Sequence, residues 1–194
     1  MRASPLEYGL LALIEHRRCS GYDLRKILTE TPMRHYSDSP GSIYPALRRI
    51  ERRGWIKSVA DRASRRRRIA YRLTPNGSSE LKRWLSQPVD EEQIAYRLDQ
   101  VMLRLSFNHL LGDPASLRVF LAAIGRATED YAARLKEFIR TATADYPAGA
   151  SLALHAGLQN YQSLARWATN ESKKLQRDRG GARSMAAKLR RRRS

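Results

Sequence analysis

Cysteine is nearly absent from this chain. Cys19 is the only one in 194 residues, which excludes an intramolecular disulfide framework and a multi-cysteine metal site and fits a reducing compartment. Phenylalanine is scarce as well: there are three, none in the basic part of the chain, which disfavours the aromatic platforms on which RNA-binding modules stack bases. Four scattered histidines make a poor zinc set. No apolar run approaches the roughly 20 residues of a membrane span. The apolar stretch 10–14 is bounded by Glu7 and Glu15 and lacks a signal-peptide cleavage pattern, so a cytoplasmic protein is expected. Glycine-rich phosphate loops, paired-carboxylate sites and nucleophile motifs are missing too. His16 and Cys19 are close in sequence, but they fall at a helix end and the following turn. The sequence predicts neither an enzyme nor a metal or organic cofactor.

Positive charge is abundant and unevenly placed. Residues 1–87 hold 19 basic and 8 acidic groups, residues 88–176 hold 10 and 10, and residues 177–194 hold 8 and 1. The nets are therefore +11, 0 and +7, against +18 for the chain. Charge concentrated in one domain and one tail points to a polyanionic partner, because each phosphate neutralised releases counterions. DNA, RNA and an anionic membrane surface all satisfy that requirement.

Punctuation and periodicity supply the architecture. Ser4-Pro5-Leu6-Glu7 reads as a capping box with proline at the first helical position, followed by an apolar face of Leu6, Leu10, Leu13 and Ile14. A second helix opens at Ser20 with Asp23 three residues on, carries Leu24, Ile27 and Leu28, and ends by Pro32. A third starts around Ser39-Pro40-Gly41-Ser42, with either serine able to cap; a cap at Ser42 puts Pro45 in the first turn, where its missing amide hydrogen costs little. Ile43, Leu47 and Ile50 form its core stripe, and Pro45, Arg48, Arg49 and Arg52 its other side. Gly54 stops it. Residues 55–59 read as a strand, Ile69, Tyr71 and Leu73 as the inward positions of a second, and Asp61 to Arg68 as an arginine-loaded turn. Thr74-Pro75 caps a further helix carrying Leu81, Trp84 and Leu85.

Beyond Pro88 the pattern predicts one helix over residues 91–111, with Ile94, Leu98, Val101 and Leu105 inward, and then two long helices. Leu117, Leu121, Ile124, Thr128, Tyr131, Leu135 and Phe138 are spaced as a heptad seam, and Leu154, Leu158, Tyr161, Ala165, Ala168, Ser172 and Leu175 repeat it with smaller residues. Such seams close either as a helical hairpin within the chain or as a subunit interface. The expectation is the interface, with Leu117, Leu121, Ile124, Tyr131, Leu135, Leu158 and Tyr161 as dimerisation residues. The fold class is therefore mostly α: an N-terminal winged helix-turn-helix with a two-stranded wing (1–87), C-terminal antiparallel helices forming a dimer interface (88–176), and a basic disordered tail (177–194).

Helix-turn-helix recognition lays the third helix in the DNA major groove, where arginine bonds guanine edges or clamps phosphates. The candidates for DNA contact are Ser42, Tyr44, Pro45, Arg48 and Arg49. Arg65, Arg66, Arg67 and Arg68 join them, because four adjacent like charges repel one another unless phosphates neutralise them.

Several motifs carry a family resemblance. Leu6-Glu7-Tyr8-Gly9-Leu10-Leu11-Ala12-Leu13, Ser20-Gly21-Tyr22-Asp23-Leu24, Ser39-Pro40-Gly41-Ser42-Ile43-Tyr44-Pro45-Ala46-Leu47 and Tyr71-Arg72-Leu73-Thr74-Pro75-Asn76-Gly77 together resemble the PadR family of bacterial transcriptional regulators. The likeness is strong over residues 5–86 and looser over 90–176, where residues 152–167 resemble the closing helix of the longer subfamily. It implies a homodimer that represses transcription from an inverted repeat in double-stranded DNA and releases it when a small aromatic or phenolic effector binds. By the same resemblance, Tyr71, His155 and Gln159 are candidates for holding a phenolic acid and Trp167 for stacking an aromatic ligand. The rival function is a nonspecific nucleic-acid binder, architectural or RNA-directed, dominated by the arginine tail.

Overall fold

The computed structural model describes residues 3–17, 19–36, 39–61, 68–142 and 146–191. The chain divides into two compact units, Met1–Gln87 and Pro88–Ser194.

In the first unit, α1 (Pro5–His16) starts at a full capping box: the Glu7 amide donates to Ser4 Oγ at 3.2 Å, and the Ser4 amide to Glu7 Oε2 at 3.0 Å. Leu10, Leu11 and Ala12 have no solvent exposure, so α1 is buried on more sides than a single apolar stripe implies. Strand β1 (Cys19–Ser20) leads into α2 (Gly21–Glu30), where Ser20 and Asp23 cap each other's amides at 3.2 and 2.9 Å. A short 3-10 turn, Pro32–His35, separates α2 from α3 (Pro40–Arg52). Strands β2 (Ile56–Asp61) and β3 (Arg68–Leu73) follow, then α4 (Pro75–Leu85). The sheet has three antiparallel strands in the order β1-β3-β2, with Cys19 opposite Tyr71 and Ser58 opposite Tyr71 on its other side. The wing hairpin thus gains a third strand that the sequence does not announce, since two residues cannot display an alternating pattern.

One open alternative is resolved and one local expectation changes. Of the two candidate caps it is Ser39 that caps α3, its Oγ accepting from the Gly41 amide at 3.2 Å. Pro45 consequently lies inside the helix, where proline removes one ladder bond and crowds the carbonyl four residues back. In β3 the burial is shifted: Ala70 is 6% exposed while Ile69 is 60% exposed. Ile69 sits toward the hairpin tip, and Ala70 lies in the stretch where β1 adds to β3 opposite Ser20.

The wing is closed by Thr74. Its amide donates to the Trp55 carbonyl at 2.9 Å, its hydroxyl to the Gly54 carbonyl at 2.6 Å, and its Oγ1 accepts from the Gly77 amide at 3.1 Å, capping α4. Gly54 takes φ +68, a backbone that glycine adopts without strain. The core beneath comprises Leu10, Leu24, Leu28, Ile43, Leu47, Ile50, Ile56, Leu81 and Leu85. Tyr8 stacks on Trp84 at 4.5 Å and donates to Glu80 Oε1 at 2.7 Å.

In the second unit the helix expected over 91–111 is broken. α5 (Glu91–Tyr96) and α6 (Leu98–Ser106) meet at Arg97 (φ −143, ψ 32), and a 3-10 turn, Asn108–Leu111, follows. Neither proline nor glycine marks the break; the bend lets Ile94 and Val101 enter one core with Phe120, Leu121, Ile124, Ala127 and Ala168. Arg104, 2% exposed, is buried beside it, bonding Gln93 Oε1 at 3.2 Å and lying 4.8 Å from the Phe120 ring. Burial pulls its guanidinium down to about 10.

α7 (Pro114–Ala142) and α8 (Ala148–Arg191) pack antiparallel. Ser172 Oγ donates to the Arg118 carbonyl at 3.0 Å, and Tyr131 meets Tyr161 edge-on at 4.7 Å. Gly125 sits so close to α8 that a Cβ there would stand 2.5 Å from Thr169 Oγ1. The heptad seam therefore closes within the chain as a helical hairpin. Leu121 and Ile124 are buried in its core, and Leu117, Tyr131 and Tyr161 pack half-buried against it; Leu135 and Leu158 are half-buried too. α8 runs on through Gly180-Gly181 to Arg191, so the backbone of 177–191 is helical where disorder is expected. Ala186, Ala187, Lys188, Leu189 and Arg190 are good helix formers, and extending an existing helix needs no new nucleus.

Candidate nucleic-acid interface

α3 is divided along its length. Ile43, Ala46, Leu47 and Ile50 are at most 1% exposed, whereas Gly41, Tyr44, Arg48 and Arg52 recur three and four residues apart and are exposed. Pro45, Arg48, Arg49, Glu51 and Arg52 line a shallow hollow on this outer side. Ser42 is exposed. The Tyr44 ring packs against α2, where a Cβ on Gly21 would stand 2.8 Å from its Cε1. That contact ties the two helices of the motif and accounts for a glycine at the start of α2.

Arg49 lines that hollow, its side chain 42% exposed, but also has an internal partner. Its Nε donates to Glu7 Oε1 at 2.6 Å, and Arg53 Nη1 donates to Glu7 Oε2 at 3.3 Å, with the Glu7 side chain only 3% exposed. The sequence places Arg49 among DNA contacts because helical spacing sets it beside Arg48; it cannot show that a buried carboxylate forty-two positions earlier claims the side chain.

The wing adds two cations that sequence spacing does not single out. Lys57 pairs directly across the β2-β3 ladder from Arg72, and both are exposed. Like charges opposite one another destabilise a sheet unless counterions or phosphates intervene. The signal was available in the hairpin register, once the strands are aligned through the Thr74 closure. Arg65, Arg66 and Arg67 lie outside the described residues; Arg68 opens β3 opposite Asp61.

Glu51 anchors the wing to α3: Ser58 Oγ donates to its Oε1 at 2.5 Å. Tyr71, on the same side of the hairpin, is half-buried; burial raises its phenol, with smaller contributions from Glu51 and Tyr44 that raise it and from Arg48 that lowers it. Tyr71 therefore belongs to the surroundings of the recognition helix in its own unit. His155, Gln159 and Trp167 are exposed on α8 of the other unit, Trp167 by 43%. His155 Nδ1 lies 2.8 Å from the Ser151 carbonyl.

Cys19 is 1% exposed, and burial pushes its thiol up. Among the described residues, no three of His, Cys, Asp and Glu cluster as a metal site, and no helix is long and apolar enough to cross a membrane.

A capped helix pair, an exposed cationic stripe on the second helix and a closed hairpin beside it define a winged helix-turn-helix of the nucleic-acid-binding kind. Residues 10–83 match the Transcriptional regulator PadR-like family, so the first unit carries a PadR-like domain. Comparison with curated proteins finds no match. Among solved structures, the chain is similar to a PadR-like transcriptional regulator from Bacillus cereus, at 22% identity over 89% of this chain and 99% of that one, TM-score 0.39. It is also similar to Bacillus subtilis PadR solved with operator DNA (22% identity, 88% and 98% covered, TM-score 0.39) and with p-coumaric acid (22%, 89% and 99%, TM-score 0.38).

Proposed function

We propose that the protein is a cytoplasmic, homodimeric, sequence-specific repressor that binds an inverted repeat in double-stranded DNA and performs no catalysis. The observation that carries this reading is the α3 stripe of Tyr44, Arg48 and Arg52, exposed on a helix whose opposite face is wholly core. Arg48 and Arg52 are the base- or phosphate-contacting groups, Ser42, Tyr44 and Pro45 shape the surface around them, and Lys57, Arg72 and the run Arg65 to Arg68 grip phosphates. Two copies joined through the second unit would present two such helices to half-sites one or two turns apart. Since Leu121 and Ile124 are spent on the chain's own core, the outer faces of α7 and α8, including Leu158 and the exposed Val119, Phe138 and Leu152, supply the contact between copies.

The family resemblance supports release by a small aromatic or phenolic effector, with His155, Gln159 and Trp167 as candidate contacts in the second unit. A ligand that displaced Tyr71 would act on the recognition helix directly, because Tyr44, Arg48 and Glu51 are its electrostatic neighbours. Unaltered release by every active ligand after His155→Ala would remove that residue from the effector site.

Selection from a random duplex pool at physiological salt, followed by competition with unrelated duplex and RNA, tests the main reading. Enrichment of a palindrome bound at least about 10³-fold more tightly than competitor is expected. Equal binding of DNA and RNA with no enriched motif would make the protein a nonspecific nucleic-acid binder instead.

A further inference from the structure

Glu7 occupies the first turn of α1, 2% exposed, with both carboxylate oxygens engaged. Oε1 accepts from Arg49 Nε at 2.6 Å; Oε2 accepts from Arg53 Nη1 at 3.3 Å and from the Ser4 amide at 3.0 Å. Arg53 is held further by the Trp55 ring, 5.0 Å from its guanidinium. Helical spacing puts positions 42, 49 and 53 on one flank of α3 and positions 41, 45, 48 and 52 along its outer centre. Among the described residues, Arg49 and Arg53 thus have an internal counter-ion, and Arg48 and Arg52 show none.

We propose that Glu7 is a positioning residue for DNA binding: it neutralises Arg49 and Arg53 internally, withholds them from phosphate and fixes the roll of α3, so that Arg48 and Arg52 face the groove. The proposal rests on the DNA-binding reading above. An arginine that leaves a buried carboxylate for phosphate strips one of its oxygens of a charged donor, a larger penalty than breaking an exposed pair. A free Arg49 would add a phosphate contact that carries no sequence information, strengthening binding to every duplex and blunting the preference for one. Glu7 thereby trades total affinity for discrimination.

The salt dependence of binding separates the two classes. Full-length protein, Arg48→Ala, Arg49→Ala and Glu7→Gln are titrated with the selected duplex and an unrelated one across a range of salt. Removing one arginine that neutralises a phosphate should flatten the log-log slope by about 0.9. Arg48→Ala is expected to flatten it so, Arg49→Ala to leave it unchanged, and Glu7→Gln to steepen it by about 0.9 for each arginine released while lowering the preference for the selected duplex. Flattening by Arg49→Ala equal to that of Arg48→Ala overturns the proposal. If Glu7→Gln does not fold, Arg49→Gln, which keeps a donor for the carboxylate, is compared with Arg48→Ala by the same criterion. Unchanged slopes for all variants, Arg48→Ala included, would instead overturn the assignment of α3 to DNA.

Discussion

Gly77 lies against the carbonyl of Trp55 so closely that a Cβ at position 77 would stand 1.9 Å from its oxygen and 2.8 Å from its carbon. That oxygen also accepts from the Thr74 amide at 2.9 Å, so the backbone that would have to yield is the one that shuts the wing. Gly77→Ala should therefore cost about 3 kcal/mol, the upper range for overpacking a tight site. Urea unfolding of the wild type and variant, with the m-value held constant, measures it. A change below about 0.5 kcal/mol, the usual limit for surface substitutions, would show that the backbone relaxes freely.

Arg48 and Arg72 should fail in different ways. Arg48→Ala is expected to cost about 1–3 kcal/mol on the selected duplex and to relax its sequence preference, whereas Arg72→Ala should weaken all duplexes alike. Affinities for the selected site and for single-base variants at constant salt distinguish them. Identical loss on every sequence for both would confine Arg48 to phosphate contact.

Tyr8 should make stability sensitive to alkali. Burial, followed by the hydrogen bond and charge of Glu80, raises its phenol well above the ordinary value, so above pH 10 the unfolded chain releases a proton that the folded chain keeps. The stabilisation from this group is present below the unfolded value of 10 and declines as pH rises past it. Tyr8→Phe should flatten the fall in unfolding free energy above pH 10, measured against wild type at matched salt. Parallel curves for the two proteins would mean that Tyr8 ionises equally in both states.

Gly125 should be coupled to Thr169. Gly125→Ala brings a helix-propensity gain of about 1 kcal/mol but forces the new methyl onto Thr169 Oγ1, so net destabilisation is expected. In a Thr169→Ala background that oxygen is gone, and the same change should be more favourable by about 1 kcal/mol. A double-mutant cycle by thermal or urea unfolding checks this, and additive effects would put the two helices further apart than the structure has them.

Legibility from sequence followed the range of the interaction. Capping boxes at Ser4 and Ser20, the helix starts at Pro40 and Pro75 and the α4 cap at Thr74 are chemistry between residues at most a few positions apart, and the sequence displays them. The bend at Arg97 has no local cause; it is set by Ile94 and Val101 sharing a core with α7. Arg49 illustrates the same limit at the interface, since its partner lies on another helix, and Lys57 and Arg72 become neighbours only through strand register. Spacing alone could not separate a hairpin within the chain from a subunit seam, because both use the same heptad geometry. Gly125, Ala165 and Ala168, small enough to let two helices of one chain approach closely, are what distinguish them here.

Pro45 leaves a mark on α3 beyond its shape. It has no N–H to give, so the carbonyl of Gly41 loses the donor that the helix ladder would ordinarily supply, on a stripe otherwise furnished with arginines that only donate. The ladder of α3 is therefore one bond short on the face that carries Arg48 and Arg52, so that face owes its shape to packing against the core more than to its own backbone.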